Sequence, residues 1–200
     1  MNYSVAEIAQ IINAQLISKE NCVIKFLLID SRNVVTTNNT LFFAISGERN
    51  DGHQYIEELY EKGIRNFVVE KLIDKNRNLQ DANFLIVENT LTALQTLASE
   101  HRRKFNYPVL GITGSNGKTI VKEWIFHVLQ GEKQIIRNPK SYNSQVGVPL
   151  SVGLMDNHSD FGVFEAGISQ PDEMAKLEKI ICPNIGLITN IGEPHQIGRA

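Results

Sequence analysis

Gly111-Ile112-Thr113-Gly114-Ser115-Asn116-Gly117-Lys118-Thr119 stands between the apolar stretch Pro108-Val109-Leu110 and the segment 120–130. The apolar stretch reads as a strand, and the segment after the loop as a helix. A glycine-rich turn between strand and helix can curl its backbone N–H groups around phosphate. In such a loop Lys118 reaches the outer phosphates, the Thr119 hydroxyl holds Mg²⁺, and Thr113, Gly114, Ser115, Asn116 and Gly117 supply backbone donors. The strict pattern places a glycine five residues before the Gly-Lys pair. Here that position is Ile112, with Gly111 and Gly114 on either side. The competing reading is a glycine-rich turn that ends in Gly-Lys-Thr by chance. The strand–loop–helix context favours the phosphate loop, and with it a nucleoside triphosphate.

Downstream, strands are expected at 134–136, 161–164 and 185–189, separated by a loop-and-helix segment and a helix at 172–180. Such alternation predicts a mostly parallel sheet flanked by helices. Upstream, Ser4-Val5-Ala6-Glu7 reads as a capping box, with Val5, Ile8, Ala9 and Ile12 on one helix face. Strands are expected at 25–29, ending at Asp30-Ser31-Arg32, and at 41–45, followed by a polar loop. A helix is expected at 54–62 with Gly63 as its stop, then strands at 66–70 and 84–87. Thr90 is placed to cap a helix over 91–105. Its terminal cluster His101-Arg102-Arg103-Lys104 reads as a solvated helix end. Asn106-Tyr107-Pro108 is the boundary between domains at 1–105 and 106–200. The fold expected is α/β: a small N-terminal α/β domain, then part of a phosphate-loop domain. The strand at 185–191 has nothing after it to close the sheet, so the chain reads as a piece of a longer protein.

Hydrophobic content of 42% and charged content of 21% in 200 residues are ordinary for a globular protein. Twenty Lys and Arg against 22 Asp and Glu give a net charge of −2, which argues against a general nucleic-acid binder. Local cationic sites remain available at Lys118, Lys122, Arg137 and Lys140. No apolar run is long enough to span a bilayer, so no membrane insertion is expected. Cys22 and Cys182 lie far apart without metal-ligand spacing. They are expected reduced and partly buried, as in a cytoplasmic protein.

Glu165 ends the apolar run Phe161–Phe164, where a phosphate-loop domain places an acidic Mg²⁺ partner. His195 follows the last strand, where an imidazole could bind metal or orient phosphate; a surface histidine is the plainer reading of its position. The segment 142–149 by itself says turn and then helix, and Asp51-Gly52-His53 reads first as a turn.

Together these motifs resemble the Mur ligases, the amide-forming enzymes of peptidoglycan precursor synthesis. The resemblance rests on the loop Gly111–Thr119, on Val121-Lys122-Glu123, on Asp30-Ser31-Arg32, on Leu41-Phe42-Phe43-Ala44, and on the stretch Gly47 to His53. Asn143 to Pro149, Phe164-Glu165-Ala166-Gly167, and Asn190-Ile191-Gly192 with His195 continue it in order. Within the family the lean is to the MurF branch, which joins D-alanyl-D-alanine to UDP-N-acetylmuramoyl-tripeptide; the MurE branch, which adds a single amino acid, is the neighbour. A nucleotide-binding piece without catalysis is a second alternative, and a GTPase-like switch a third, disfavoured because no Asn-Lys-x-Asp guanine-reading motif occurs. The Pro194-His195-Gln196 variant is similar to MurF halves fused to an alanine racemase. The resemblance implies ATP and Mg²⁺ as cofactors, and Lys118, Glu165 and His195 as catalytic. It places Thr119, Glu165 and His195 at the metal, and Asn143 and Asn190 on the nucleotide side. Ser31, Arg32, Asn50, Asp51, Gly52 and His53 would hold the UDP moiety. It also implies a C-terminal ligase domain and a carbamylated lysine that these 200 residues do not contain, so the chain alone is expected not to ligate.

Overall fold

The computed structural model describes residues 1–47, 50–72, 79–167 and 173–192. They fall into two units, Met1–Leu97 and Ala98–Ala200. No helix among the described residues is long and apolar enough to cross a membrane.

The first unit opens with β1 (Tyr3–Ser4) and α1 (Val5–Ile11). Ser4 Oγ accepts from the Glu7 amide at 3.2 Å while Glu7 Oε2 accepts from the Ser4 amide at 2.7 Å, which closes the capping box. Val5, Ile8, Ala9 and Ile12 are all buried, as their spacing requires. There follow β2 (Gln15–Ile17), β3 (Val23–Ile24), β4 (Phe26–Leu28), β5 (Thr40–Phe43), a 3-10 turn at Gly52–Tyr55, α2 (Ile56–Glu61), β6 (Asn66–Val69), β7 (Asn83–Ile86) and the start of α3 (Thr90–Arg102), whose residues from Ala98 on belong to the second unit. The main sheet runs β2-β7-β6-β5-β4, parallel except for β2, and β1 pairs antiparallel with β3. Phe42, Phe67 and Phe84 stand in register on three adjacent strands. Phe42 meets Phe67 edge-on at 6.4 Å, and Phe67 stacks on Phe84 at 5.5 Å. Leu41, Phe43, Val68 and Leu85, on the opposite face, are also buried. A sheet covered on both faces explains the continuous apolar runs of its strands. The helix expected at 54–62 forms as the 3-10 turn plus α2. Gly63 ends it at φ +104°.

Two expectations for α3 are corrected. Asn89 caps the helix, its Oδ1 accepting from the Thr92 amide at 2.8 Å. Thr90 is buried and donates instead to the Ala44 carbonyl. The basic cluster is only half solvated: His101 and Arg102 are buried. His101 Nε2 donates to the Met155 carbonyl at 2.9 Å, and Arg102 donates to the carbonyls of Ile181, Phe105 and Cys182. Cys22 is half-buried, whereas Cys182 is exposed rather than partly buried; both are free.

The second unit continues with β8 (Val109–Thr113), α4 (Lys118–Leu129), β9 (Ile135–Arg137), α5 (Gly147–Val152), β10 (Phe161–Glu165), α6 (Glu173–Ile181) and β11 (Ile185–Ile188). All pairs in the order β11-β8-β10-β9 are parallel. Val109 and Phe164 pack with Val148, Val152, Leu177 and Ile180 on one side. Leu110, Ile112 and Val163 pack with Val121 and Ile125 of α4 on the other.

Candidate functional site

Because the four strands of the second unit are parallel, their carboxyl ends open on one side. That is where ligands gather in open α/β sheets. β8 delivers the phosphate loop, β10 delivers Glu165, β9 leads into 138–143, and β11 leads into Thr189 and Asn190.

The loop turns on two glycines in the left-handed half of backbone space, Gly114 at φ +132° and Gly117 at φ +82°. A Cβ at Gly114 would also fall 2.2 Å from Thr189 Oγ1, so only glycine fits. Neighbouring strands hold the loop. The Ser115 amide donates to the Asn190 carbonyl at 3.0 Å, and the Asn116 amide to Asn190 Oδ1 at 2.8 Å. Thr113 Oγ1 donates to the Ala166 carbonyl, and Ser115 Oγ to the Gly192 carbonyl. Thr189 Oγ1 donates to the Asn116 carbonyl at 2.5 Å. Gly117 starts α4 without a side-chain cap. The first-turn N–H groups thus keep their capacity for an anion, which the helix dipole also favours. Lys118 Nζ rests on the Gly114 carbonyl at 2.6 Å, folded back over the loop.

Beside the loop lies a buried polar cluster. Glu165 is 0% exposed. Its Oε2 accepts from Thr119 Oγ1 at 2.8 Å and its Oε1 from Lys122 Nζ at 3.1 Å. Lys122, also 0% exposed, donates further to the carbonyls of Asn138 and Lys140. Asn138 Oδ1 takes the Glu165 amide at 2.6 Å. Lys122 is therefore no free cation for a surface anion, contrary to the sequence reading. Arg137 is likewise engaged, bonded to Glu123 and stacked over Phe126. Among the described residues no three His, Cys, Asp or Glu side chains converge as a metal cage. A single carboxylate beside a phosphate-loop hydroxyl suits Mg²⁺, which takes one or two protein oxygens and completes its shell with phosphate and water. Glu165 and Thr119 fit that requirement.

In the first unit the two loops singled out by sequence leave the carboxyl ends of adjacent parallel strands, β4 and β5. Arg32 reaches back to Asp30 through Nε at 2.9 Å and Nη2 at 2.8 Å, yet its side chain stays 86% exposed. Those bonds hold the Asp30 carboxyl below its usual range. Ser31 is buried, and its carbonyl accepts from Lys62. Asn50 Oδ1 accepts from Gln54 and from the Tyr55 hydroxyl. Burial pulls the Asp51 carboxyl up, but hydrogen bonds from His53 and Ser46 outweigh it, and the group ends lower than usual. His53 is buried. Its Nε2 accepts from the Glu70 amide at 2.9 Å, so its ring proton sits on Nδ1 and points to Asp51 Oδ1 at 2.6 Å. His53 thus braces its loop from behind.

The structure therefore brings together Thr113 to Thr119, Glu165 and Asn190. Asn143 lies nearby, its carbonyl accepting from the Gly167 amide at 2.8 Å. His195 lies outside the described residues. Sequence reasoning missed Lys122, Asn138 and Thr189 as parts of the site. The Lys118–Lys122 spacing, one helical turn, was the available signal for the first.

A family model described as Mur ligase middle domain matches residues 112–196, and one described as Mur ligase family, catalytic domain matches 23–102. The chain is 32% identical over 194 residues to a UDP-N-acetylmuramoyl-tripeptide–D-alanyl-D-alanine ligase of Bacillus subtilis, covering 96% of this chain and 42% of that protein. A crystal structure of MurF from Acinetobacter baumannii superposes with a TM-score of 0.88 at 26% identity, over 98% of this chain and 42% of that one. MurF ligase from Thermotoga maritima in complex with ADP superposes at 0.73 and 30% identity, over 86% of this chain and 38% of that one. The chain thus spans about two-fifths of the length of the relatives it matches.

Proposed function

The chain belongs to the Mur ligase family, and from that premise we propose that it serves the ATP-dependent joining of D-alanyl-D-alanine to UDP-N-acetylmuramoyl-tripeptide, a cytoplasmic step of peptidoglycan precursor synthesis. The observation that carries the reading is the pairing of Thr119 with a fully buried Glu165 at the end of the phosphate loop.

The chemistry starts from a carboxylate, a poor electrophile. Transfer of the γ-phosphoryl group of ATP to the terminal carboxylate of the tripeptide gives an acyl phosphate and ADP. The amine of D-alanyl-D-alanine attacks the acyl carbon, the carbon–oxygen bond to phosphate breaks, and the nitrogen loses a proton. Two anions must first be brought together, so the protein's task is charge neutralisation and positioning. Lys118 leaves the Gly114 carbonyl and turns to the β- and γ-phosphates. The amides of Gly114 and of Gly117 to Thr119 at the start of α4 cradle the phosphates; those of Ser115 and Asn116, expected from the sequence to join them, are held by Asn190. Thr119 and Glu165 would hold Mg²⁺, with His195 as the further candidate that the resemblance supplies. When bound, Mg²⁺ neutralises charge on the phosphoryl oxygens. Asn143 and Asn190 line the nucleotide side. Residues 1–105 act as the domain that takes the UDP-linked substrate, through Ser31, Arg32, Asn50, Asp51 and Gly52, with His53 bracing their loop from behind. Residues 106–200 take ATP.

Calorimetric titration with ADP–Mg²⁺ and with UDP-N-acetylmuramoyl-tripeptide tests the division of labour. Lys118→Ala is expected to weaken only the first ligand and Arg32→Ala only the second. Binding of either ligand that ignores its own substitution would reject the assignment.

A further inference from the structure

A lysine with no exposed surface, one turn past the phosphate-loop lysine, has more than a packing consequence. An ammonium carries three N–H donors, and Lys122 has an acceptor for each: the Asn138 carbonyl at 3.0 Å, Glu165 Oε1 at 3.1 Å, and the Lys140 carbonyl. Lys140 takes the left-handed backbone conformation, φ +51°, as that carbonyl meets the ammonium. For a residue other than glycine this conformation costs free energy, so it persists because its surroundings hold it. Glu165 is thus held at two places, one on its backbone and one on its carboxylate. Asn138 Oδ1 grips its backbone amide at 2.6 Å, and Lys122 occupies Oε1. Only Oε2 remains, turned toward the Thr119 hydroxyl at 2.8 Å.

We infer that Lys122 is a positioning residue which makes Glu165 a one-oxygen metal ligand, and so tunes the site toward Mg²⁺ over Ca²⁺. The inference rests on the proposed role of Glu165 at the metal. Mg²⁺ takes single carboxylate oxygens in a tight octahedral shell, whereas Ca²⁺ readily takes both oxygens of one carboxylate. With Oε1 held by the ammonium, the two-oxygen mode is closed. The plainer alternative is a buried ion pair that serves only stability. Such pairs are weak stabilisers once desolvation is counted, and an apolar pair would fill the same volume at no loss. A purely stabilising pair also has no reason to present its second oxygen to the phosphate-loop hydroxyl.

The test measures Mn²⁺ binding to the 200-residue chain in the presence of ADP, by loss of the free Mn²⁺ electron paramagnetic resonance signal. Mg²⁺ and Ca²⁺ serve as competitors, and ADP binding without metal as the control. Lys122→Met is expected to weaken Mn²⁺ by about 10- to 100-fold, the scale for removing an outer partner of a metal ligand. ADP affinity without metal should be unchanged, and the advantage of Mg²⁺ over Ca²⁺ should narrow. A folded Lys122→Met chain that binds Mn²⁺ like the parent, while Glu165→Gln does not, overturns the inference and leaves the metal site standing. Parent-like Mn²⁺ binding by Glu165→Gln, or none by the parent, removes the metal reading itself and the inference with it. If urea unfolding shows that Lys122→Met has lost its fold, Lys122→Arg takes its place. The guanidinium keeps the charge but cannot match the three acceptors, so Mn²⁺ should again weaken, and parent-like affinity overturns the inference.

Discussion

A methyl group placed on Gly52 would lie 2.8 Å from the backbone atoms of Ala44 and Ile45. The neighbour is main chain, which cannot rotate away. Gly52→Ala should therefore destabilise the first unit by about 1–3 kcal/mol, the usual cost of overpacking. Urea unfolding reads it; a loss below about 0.5 kcal/mol, ordinary for a surface change, would mean that the 51–53 turn can move away from the Ala44–Ile45 backbone. Lys118 makes the opposite case. Among the described residues its ammonium bonds a carbonyl of its own loop, so stability should barely respond to Lys118→Ala. In the complete enzyme proposed above, Lys118→Ala should lower the turnover of ATP to ADP by about 10²–10³, the effect of deleting one preorganised electrostatic contact. Parent-like ADP release would remove Lys118 from the phosphate site.

Helix ends show how an element is specified by one side chain. Asn89 supplies the cap of α3 and Ser4 that of α1. Asn89→Ala should cost about 1 kcal/mol, measured as a lower urea midpoint. An unchanged midpoint would move the cap elsewhere. The start of α4 differs because Gly117 brings no capping side chain. Strands show the same logic at lower resolution. β2 spans three residues and β1 and β3 two each, too few for an alternation to register, and all three went unread in the sequence.

At the scale of the molecule, burial converts ionisation into stability. Burial lowers the His101 pKa to about 4, against the opposing pull of the Met155 carbonyl. The unfolded chain therefore binds more protons between about pH 6.5 and about pH 4. The stability that His101 contributes is fully present above about pH 6.5. It falls as the pH drops through that window, by about 3 kcal/mol in all. The lowered carboxyls of Asp30, Asp51 and Asp156 act only further down, below their ordinary value of 3.8. Urea unfolding of the chain at pH 7 and pH 5 should show the loss, and His101→Gln should flatten it. An unchanged slope in that variant would assign the dependence to another group.

The sequence by itself determined what repeats or what sits at fixed spacing. The apolar runs around Gly111–Thr119 specified strand, loop and helix, and the strand–helix alternation specified the parallel second sheet. The parallel sheet then placed Glu165 and Asn190 beside the loop. The Ser4 cap and the buried face of α1 followed from spacing alone. Tertiary structure decided which polar groups share an interior. Lys122 reads as a surface cation until Asn138 and Glu165, 16 and 43 residues away, close over it. His101 and Arg102 read as a solvated helix end until Met155 and Ile181 supply acceptors 54 and 79 residues away. The physical reason is common to both. Apolar burial is set by the face a residue occupies, and local periodicity reports that face. Burial of a charge is set by whether a partner waits there, and partners distant in the chain leave no mark on local spacing.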